Sequence, residues 1–358
     1  MTNDVDVVVI GAGQAGLSAV HHLRRAGFEP GTGYVAFDHN PAPGGAWLHR
    51  WDSLTVATVN GIFDLPGMPL GFDTLDPKAK ANEVVPAYFA EYERRFDLRV
   101  QRPVNVKSVH ETVGGRLLVD TDKGSWSARA IINATGTWEK PFWPHYPGMA
   151  SFKGRHIHTA GFHSAEEFAG KRVVVVGAGS SALGHLMEIA EVAAETTWVT
   201  RRPPEFTEEP WTEQYGREVV ARVDARVRAG LPPESVIRAT GYPVTPAIRA
   251  GLESGVLDRE PMFDRVTPEG VAWDDGGFVA ADVIVWATGF RASLDHLAPL
   301  RLREPGGGIR MDGTRVAADP RVHLVGYGPS ASTVGANRAG REAVREIRRM
   351  LGAEALAA

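Results

Sequence analysis

The chain has 358 residues, of which 43% are hydrophobic and 23% charged, and its net charge is −4. This balance is typical of a globular protein with room for two domains, and it argues against nucleic acid or an anionic membrane surface as a main partner. The chain has no cysteine, which excludes disulfides, thiolate metal sites and a thiol nucleophile, and we expect no metal site. Neither a signal peptide nor a long apolar run is visible, so we expect a cytoplasmic protein.

The first predicted unit consists of a strand, a glycine-rich turn, a helix and a second strand. The apolar run Val5–Ile10 is typical of a buried parallel strand, and the sequence Gly-Ala-Gly-Gln-Ala-Gly at residues 11–16 follows at once. The second strand, Tyr34–Asp38, ends 22 positions after Gly16. This pattern is the dinucleotide-binding fingerprint: the glycines let a pyrophosphate approach the start of a helix, and the acid binds a ribose. The alternative is that Asp38 is an ordinary turn residue.

A second glycine pair, Gly44-Gly45, precedes Trp47. Two glycines let the backbone approach a flat ligand, and the indole is suited to wall its ring, although an aromatic residue after glycines is more often part of a core. The segment that follows, at residues 49–63, is a candidate part of the substrate pocket, as are parts of residues 203–216. Together with Trp47, its candidate residues are His49, Trp51, Ala57 and Asn60.

Three predicted antiparallel strands come next, at residues 104–111, 116–120 and 127–133, and they end in Ala134-Thr135-Gly136. The same order of elements returns in the second half of the chain. A strand at residues 171–176 leads into the sequence Gly-Ala-Gly-Ser-Ser-Ala at residues 177–182, which again begins a helix.

The second copy differs from the first at the end of its second strand, residues 197–200. Arg201 and Arg202 stand where the first copy has an acid. An acid repels the 2′-phosphate of NADPH, whereas arginine pairs with it through a planar fork, so this site favours NADPH over NADH. The alternative is that both arginines are solvated loop charges.

The second copy also closes with three predicted strands, at residues 264–266, 270–273 and 278–286, followed by Ala287-Thr288-Gly289. The repeat predicts an α/β protein with two Rossmann-like dinucleotide-binding domains, the second inserted into the first. The predicted domains are residues 1–150 plus 287–358, and residues 151–286. Residues 203–263 fit the repeat poorly; within them Val219, Val220, Val223 and Val227 fall on one face of a helix, as in ordinary packing.

A closing strand, residues 321–326, leads through a loop into a long helix from about residue 331 to residue 351. The positive end of that helix is suited to an anionic ligand ring near Gly326. Ser332 and Thr333 lie at this end, where they contact the ligand, cap the helix, or do both.

Between the two glycine-rich turns, residues 152–162 read F-x-G-x-x-x-H-x-x-x-F, with His158 at their centre. This arrangement resembles the fingerprint of the flavin-containing monooxygenases, a class that includes the plant auxin-synthesis monooxygenases and the Baeyer–Villiger enzymes, and the resemblance covers nearly the whole chain. It implies FAD at the first turn and NADPH at the second, a reduced flavin that captures O2 as a C4a-(hydro)peroxide, and a small-molecule substrate oxygenated at nitrogen or sulfur. The chemistry is then the flavin's, and His158 is expected to be a structural residue.

Together, the motifs and the resemblance place a defined set of residues at the cofactors. These predicted cofactor-binding residues are Gly11, Gly13, Gln14, Ala15, Gly16, Asp38, Gly45, Trp47, Val104, Ala134, Thr135, Gly136, Gly177, Gly179, Ser180, Ser181, Arg201, Arg202, Ala287, Thr288, Gly289, Gly326, Ser332 and Thr333.

The chain departs from the family pattern at several places, among them Trp51-Asp52-Ser53 in place of the Tyr-Pro-Gly of Baeyer–Villiger enzymes and Gly328-Pro329 in place of an Asp near the last helix. Phe162-His163 stands where Baeyer–Villiger enzymes carry Trp followed by Pro or Asp, and Ala57 occupies the place of an Asn found near the flavin in many members. Ketone oxygenation is therefore less favoured. The alternatives left open are a Baeyer–Villiger or oxidative-decarboxylating oxygenase of the same family and an NADPH-dependent flavin reductase or oxidase. A homodimer also stays open.

Overall fold

The computed structural model describes residues 3–59, 61–208, 213–233 and 241–357, without side chains for 213–217 and 353–357. The chain divides into two compact units. The first comprises Met1–Thr137, Val220–Glu234 and Ala292–Ala358, and the second comprises Trp138–Val219 and Ser235–Arg291. In the part of the chain that is described, no helix is long and apolar enough to cross a membrane.

The first unit opens with a parallel strand–helix–strand arrangement and continues into an antiparallel meander. Its elements are β1 (Asn3–Ile10), α1 (Gln14–Arg25), β2 (Tyr34–Phe37), α2 (Ala81–Arg95), β3 (Val106–Glu111), β4 (Leu117–Thr121) and β5 (Gly124–Asn133). Strand β1 lies between β2 and β5 and runs parallel to both. Three apolar residues of α1 at helical spacing, Leu17, Val20 and Leu23, are fully buried against this sheet.

Strand β5 belongs to both parts of the first sheet. It pairs with β4 in the antiparallel meander and with β1 in the parallel sheet, so the meander feeds directly into the parallel core. Its end carries Ala134-Thr135-Gly136 to the carboxyl end of β1, where Ala134 N–H donates to Ile10 O at 2.7 Å. The parallel register therefore brings the glycine-rich turn and the Ala-Thr-Gly segment together.

The second unit contains a five-stranded parallel sheet and a separate three-stranded antiparallel sheet. Its elements, including the part of α4 that the first unit shares, are β6 (Arg155–His158), β7 (Arg172–Val176), α3 (Ser180–Ala190), β8 (Glu195–Thr200), β9 (Phe206–Thr207), α4 (Glu213–Arg228), β10 (Tyr242–Pro243), α5 (Pro246–Glu253), β11 (Arg259–Pro261), β12 (Arg265–Thr267), β13 (Gly270–Ala272), β14 (Phe278–Ala280) and β15 (Val283–Trp286). The parallel order is β11-β8-β7-β15-β6, and β12, β13 and β14 form the antiparallel sheet.

The strand predicted at residues 278–286 is two strands in different sheets. Strand β14 ends at Ala280 and β15 begins at Val283. Asp282 interrupts the run because its carboxylate accepts hydrogen bonds from the Arg172 backbone N–H at 2.9 Å and from the Arg172 guanidinium at 2.7 Å. The corresponding strand of the first unit, β5, has no such break.

The chain returns to the first unit with β16 (Met311–Asp312), β17 (Arg315–Val316), β18 (Val322–Leu324) and α6 (Thr333–Ala357). Strand β18 adds to β5 in parallel register. The end of α4 also belongs here: Val223 and Val227 are buried, and Val227 packs in the same apolar cluster as Tyr327. Val220, predicted on the same helix face, is instead 47% exposed.

Two of the boundaries between the units lie at 137/138 and 291/292, near the predicted 150/151 and 286/287, and the inclusion of Val220–Glu234 in the first unit adds two more that the sequence did not predict. The segment after Gly136 pairs with the chain that follows β15. Phe142 N–H donates to Gly289 O at 2.9 Å, and Arg291 N–H donates to Lys140 O at 2.8 Å. These backbone bonds hold both connecting segments to the second unit.

Candidate functional site

The first glycine-rich turn contains two glycines that the fold itself requires. Gly11 has a φ of +95°, and a Cβ there would lie 2.6 Å from Ala134 O. A Cβ at Gly16 would lie 1.9 Å from Gly11 O. Neither contact is tolerable, so these two positions let α1 and the Ala-Thr-Gly segment close on the turn.

Gly13 is different, because among the described residues no atom other than those of its chain neighbours lies within 4 Å of where its Cβ would be. Its φ of −78° is also available to any residue. The protein's own packing therefore does not require glycine here. The open space lies at the N-terminus of α1, whose first N–H groups are the natural partners of a phosphate.

Asp38 lies at the end of β2 with only 4% of its surface exposed. Its two carboxylate oxygens accept hydrogen bonds from the backbone N–H groups of Ala12 at 2.7 Å and of Asn40 at 2.8 Å. Val104 N–H donates to the Asp38 backbone carbonyl at 2.8 Å. The carboxylate thus fixes the glycine-rich turn, and its oxygens retain further lone pairs for ribose hydroxyls.

The second glycine-rich turn has the same arrangement of strand, turn and helix as the first. Gly177 has a φ of +139°, and a Cβ there would lie 2.2 Å from Ala287 O, just as Gly11 abuts Ala134. Gly179, like Gly13, has no atom of the described residues beyond its chain neighbours within 4 Å of a Cβ. Ser180 and Ser181 form the first turn of α3. Each unit therefore presents one open glycine at a helix N-terminus.

Arg201 and Arg202 follow β8 and are exposed to solvent. Neither guanidinium is ion-paired with a residue in the described ranges. The Thr200 hydroxyl donates to the Arg202 carbonyl at 2.8 Å and fixes the turn that carries both side chains. The first turn offers a buried carboxylate at this point of the frame, whereas the second offers two unengaged cations.

Hydroxyl groups anchor both Ala-Thr-Gly segments. Thr135 donates to the Ser293 carbonyl at 2.6 Å, and Thr288 donates to the Phe142 carbonyl at 2.5 Å. The glycines that follow, Gly136 and Gly289, have φ values of +60° and +79°. The threonine side chains hold their own segments in place, while the glycines allow the chain to turn away from each sheet.

His158 uses both ring nitrogens in the second unit. Its Nδ1 accepts from Ala160 N–H at 3.0 Å, so Nε2 carries the proton and donates to Gly289 O at 3.1 Å. The ring is buried, and burial lowers the pKa of His158. The neutral imidazole therefore joins the 152–162 segment to the second Ala-Thr-Gly segment, which agrees with the structural role expected for it.

A histidine also anchors the first Ala-Thr-Gly segment, which the sequence did not suggest. Asn133 Nδ2 donates to the Thr135 hydroxyl at 3.0 Å, so Asn133 Oδ1 is the acceptor for His296 Nε2–H at 2.6 Å. Burial lowers the pKa of His296 to about 4. Burial therefore keeps the imidazole neutral near pH 7, with Nε2–H as the donor at the start of the hydrogen bonds that run from His296 through Asn133 to Thr135.

The buried His296 predicts that the protein loses stability at acidic pH, in part because of this residue. Its pKa falls from 6.5 in the unfolded chain to about 4 in the folded protein. Stability is therefore complete above pH 6.5 and is lost as the pH falls toward 4, by about 3 kcal/mol from this group. Urea unfolding at about pH 7.5 and about pH 4.5 measures the loss. In His296→Gln, which keeps a neutral N–H donor, the loss should be smaller; an equal loss in both proteins contradicts this role.

The turns, sheets and anchors described above have close counterparts in known proteins. A family model described as pyridine nucleotide-disulphide oxidoreductase matches residues 8–236. The solved flavin-containing monooxygenase from Stenotrophomonas maltophilia is 37% identical, covers 98% of this chain and 100% of its own, and superposes with a TM-score of 0.82. The chain belongs to the flavin-containing monooxygenases within that oxidoreductase family.

More distant flavin monooxygenases resemble the chain as well. Indole-3-pyruvate monooxygenase YUCCA1 from Oryza sativa subsp. japonica is 26% identical over 322 residues, covering 80% of this chain and 77% of that protein. An open structure of cyclohexanone monooxygenase, at 21% identity, covers 98% of this chain and 88% of its own with a TM-score of 0.67, and shares the fold.

As a flavin-containing monooxygenase, the protein is an oxidoreductase whose cofactors are FAD and NADPH. The disulphide chemistry in the wider family's description does not apply, because the sequence contains no cysteine. This monooxygenase therefore shares the two-nucleotide frame of the wider family without a dithiol to reduce.

The other residues predicted near the flavin lie in the first unit. A Cβ at Gly45 would lie 2.9 Å from Gly13 Cα, so the Gly44-Gly45 turn packs against the open glycine. Trp47 is partly buried and Trp51 is buried, while His49 Nε2 hydrogen-bonds to Asn40 Oδ1 at 2.8 Å.

Four further residues of the predicted set lie as follows. Ala57 is exposed, and its N–H donates to Pro77 O at 3.0 Å. Asn60 lies outside the described residues. The Ser332 hydroxyl accepts a hydrogen bond from Gly335 N–H at 3.0 Å, so Ser332 caps α6. Gly326 lies beside α1, where an added Cβ would meet Ala15 Cβ at 3.5 Å.

The sequence does not predict a side-chain clamp that the structure shows at the start of α1. Gln14 Nε2 donates to Phe63 O and to Asn337 Oδ1, each at 3.1 Å, and Asn337 Nδ2 donates to Asp64 O at 2.6 Å. Gln14 Oε1 is buried and has no partner among the described residues. The clamp joins the candidate pocket segment to the first turns of α1 and α6. No local pattern reveals it, because its members lie far apart in the sequence.

Proposed function

We propose that this monooxygenase uses NADPH and O2 to oxygenate a small organic substrate, most readily at nitrogen or sulfur, on FAD held by the first glycine-rich turn. The proposal rests on one observation: the arrangement of strand, glycine-rich turn, helix and strand occurs twice, with a negative charge at the end of one copy and positive charges at the end of the other. Both copies leave open space at a glycine that packing does not require, Gly13 in one and Gly179 in the other. The first copy ends in the Asp38 carboxylate and the second in two exposed arginines.

The residues of the first unit fit FAD. The space at Gly13 and the N-terminus of α1 suit its pyrophosphate, and the Asp38 carboxylate suits its adenosine ribose. The unpaired Gln14 Oε1 is a buried acceptor beside the same helix end, and a buried polar atom needs a partner. Bound FAD, once reduced by NADPH, would activate O2, so that one oxygen atom of O2 goes to the substrate and the other leaves as water.

The residues of the second unit fit NADPH. Gly179 and the first turn of α3 suit its pyrophosphate. Arg201 and Arg202 suit the 2′-phosphate, because guanidinium groups bind phosphate through paired, charge-assisted hydrogen bonds. Thr288 and Gly289 complete this site by holding the chain beside Gly177.

The protein's own residues bind, orient and enclose rather than exchange protons. His158 spends both ring nitrogens on backbone groups, and His49 hydrogen-bonds to Asn40. Trp47 and Trp51 offer apolar ring surface near the Gly45 turn, which favours exclusion of water from the reacting atoms. A soft nitrogen or sulfur nucleophile needs no protein base, in keeping with this arrangement.

A panel of amines, sulfides, oximes, α-keto acids and ketones tests the proposal. We expect amines or sulfides to stimulate NADPH consumption and to yield oxygenated products in proportion to the NADPH used. Ester or lactone formation from ketones instead identifies a Baeyer–Villiger enzyme. NADPH consumption that yields only hydrogen peroxide with every class contradicts oxygenation and identifies an oxidase.

A further inference from the structure

Two buried side chains hold successive carbonyl groups of the second glycine-rich turn. The indole N–H of Trp198 donates to Gly177 O at 2.7 Å, and the hydroxyl of Tyr242 donates to Ala178 O. Trp198 is 1% exposed and Tyr242 is 5% exposed. Both donors belong to the second unit, as the turn does.

The Trp198 bond accompanies a sequence difference between the two turns. In the first turn, the absence of a Cβ at Gly16 lets α1 lie directly on Gly11 O, with only 1.9 Å available. The second turn has Ala182 at that position, and a methyl group there excludes the same approach. Gly177 takes a φ of +139° in place of the +95° of Gly11. Its carbonyl is satisfied by the indole.

Tyr242 comes from residues 203–263, the segment without a counterpart in the first unit. Strand β10 pairs in parallel with β9, which places Tyr242 beside Phe206 with 5.9 Å between ring centroids. Gly241 makes this approach feasible: its φ is +71°, and a Cβ there would lie 2.9 Å from Glu205 O. Burial raises the pKa of Tyr242, which keeps its hydroxyl a donor.

These bonds set the direction of the neighbouring N–H groups. In a planar trans peptide, the carbonyl and the following N–H point in opposite directions. Holding Ala178 O at Tyr242 therefore turns the Gly179 N–H away from Tyr242, and holding Gly177 O at Trp198 does the same for the Ala178 N–H. Neither N–H donates to any residue in the described part of the chain. In the first turn the corresponding N–H, of Ala12, is already bonded to Asp38.

We propose that Tyr242 is a positioning residue for the pyridine nucleotide, fixing the Ala178–Gly179 peptide so that its N–H binds a phosphate of the pyrophosphate. The inference rests on the assignment of the second turn to NADPH. Because NADPH and NADH share the pyrophosphate, Tyr242 acts equally on both. Arg201 and Arg202 act on the 2′-phosphate that NADPH alone carries.

Tyr242→Phe removes the hydroxyl and keeps the ring against Phe206. In anaerobic flavin-reduction kinetics, the half-saturating concentrations of NADPH and NADH should both rise, by about five- to tenfold, the cost of one lost hydrogen bond. The limiting rate and the FAD content should stay at their wild-type values. Trp198→Phe should show the same pattern. The matched control is Tyr34→Phe. The buried Tyr34 hydroxyl donates to Leu98 O at 2.9 Å in the first unit, so its removal should change neither half-saturation value.

The outcomes separate this inference from the function on which it rests. Unchanged half-saturation in Tyr242→Phe, with selective loss of NADPH binding in an Arg201→Ala/Arg202→Ala protein, overturns the role of Tyr242 and keeps the second turn as the NADPH site. No effect of either variant on nucleotide binding overturns the site assignment itself. A Tyr242→Phe protein with lowered FAD content or a lowered limiting rate gives the tyrosine a merely structural role and also overturns the inference.

Discussion

Gly13→Leu should yield a folded, colourless protein that cannot be reconstituted with FAD. In the described part of the chain, no atom beyond the neighbouring residues lies within 4 Å of a Cβ at this position, and the backbone φ of −78° accepts any residue. The backbone therefore accepts a Cβ, and the leucine side chain extends from it into the space proposed for the pyrophosphate at the start of α1. The ratio of flavin to protein in the purified enzyme, before and after incubation with FAD, measures the effect.

The matched control is Gly179→Leu, which makes the same change at the equivalent open position of the second turn. This variant should keep its flavin and lose its response to NADPH. Circular dichroism and thermal unfolding verify that both proteins fold. A yellow Gly13→Leu protein with normal flavin content contradicts the assignment of FAD to the first turn.

The Arg201→Ala/Arg202→Ala protein should lose its preference for NADPH. Hydrogen bonds to charged groups contribute about 1.5 to 3 kcal/mol each, and both side chains are exposed, so we expect the lower end of this range for each arginine. The KM for NADPH should rise about 100-fold in the double variant, because each lost contact costs about tenfold. The KM for NADH should stay nearly unchanged.

Steady-state kinetics with both nucleotides, at low and high salt, tests this prediction. In the wild-type enzyme the KM for NADPH should rise with salt, since screening weakens exposed charge pairs. The double variant should lose most of that dependence. An equal rise in the KM values for NADPH and NADH shows that the arginines do not contact the 2′-phosphate.

The two-nucleotide fold could be predicted because its determinants are local. A buried strand, a glycine turn and a helix follow one another within about twenty residues, and steric exclusion alone dictates Gly11 and Gly16. Asp38 and the two arginines stand at the same point of each repeat. Such patterns survive in the sequence because each is built from consecutive residues.

The parts that could not be predicted depend on contacts between distant residues. Gln14 meets Asn337, and Asn133 meets His296, through hydrogen bonds that no spacing rule encodes. Tyr242 reaches the second turn from a segment that departs from the repeat.

The split of the predicted 278–286 strand has the same origin. Its cause is the ion pair of Asp282 with Arg172, a residue far away in the sequence and adjacent in the sheet. The boundaries between the units also follow from non-local pairing, that of residues 140–142 with residues 289–291. The sequence therefore predicts the strand, turn and helix at each site better than the distant side chains whose hydrogen bonds hold them in place.

The most direct test of the proposed oxygenation follows the oxygen atom itself. The compound that most stimulates NADPH consumption is incubated with the enzyme, NADPH and O2 labelled with the heavy isotope of oxygen. The mass of the product is then measured by mass spectrometry. We predict that each product molecule carries one labelled atom and that product forms in proportion to the NADPH consumed. Unlabelled product, or labelled hydrogen peroxide without any oxygenated product, contradicts the account.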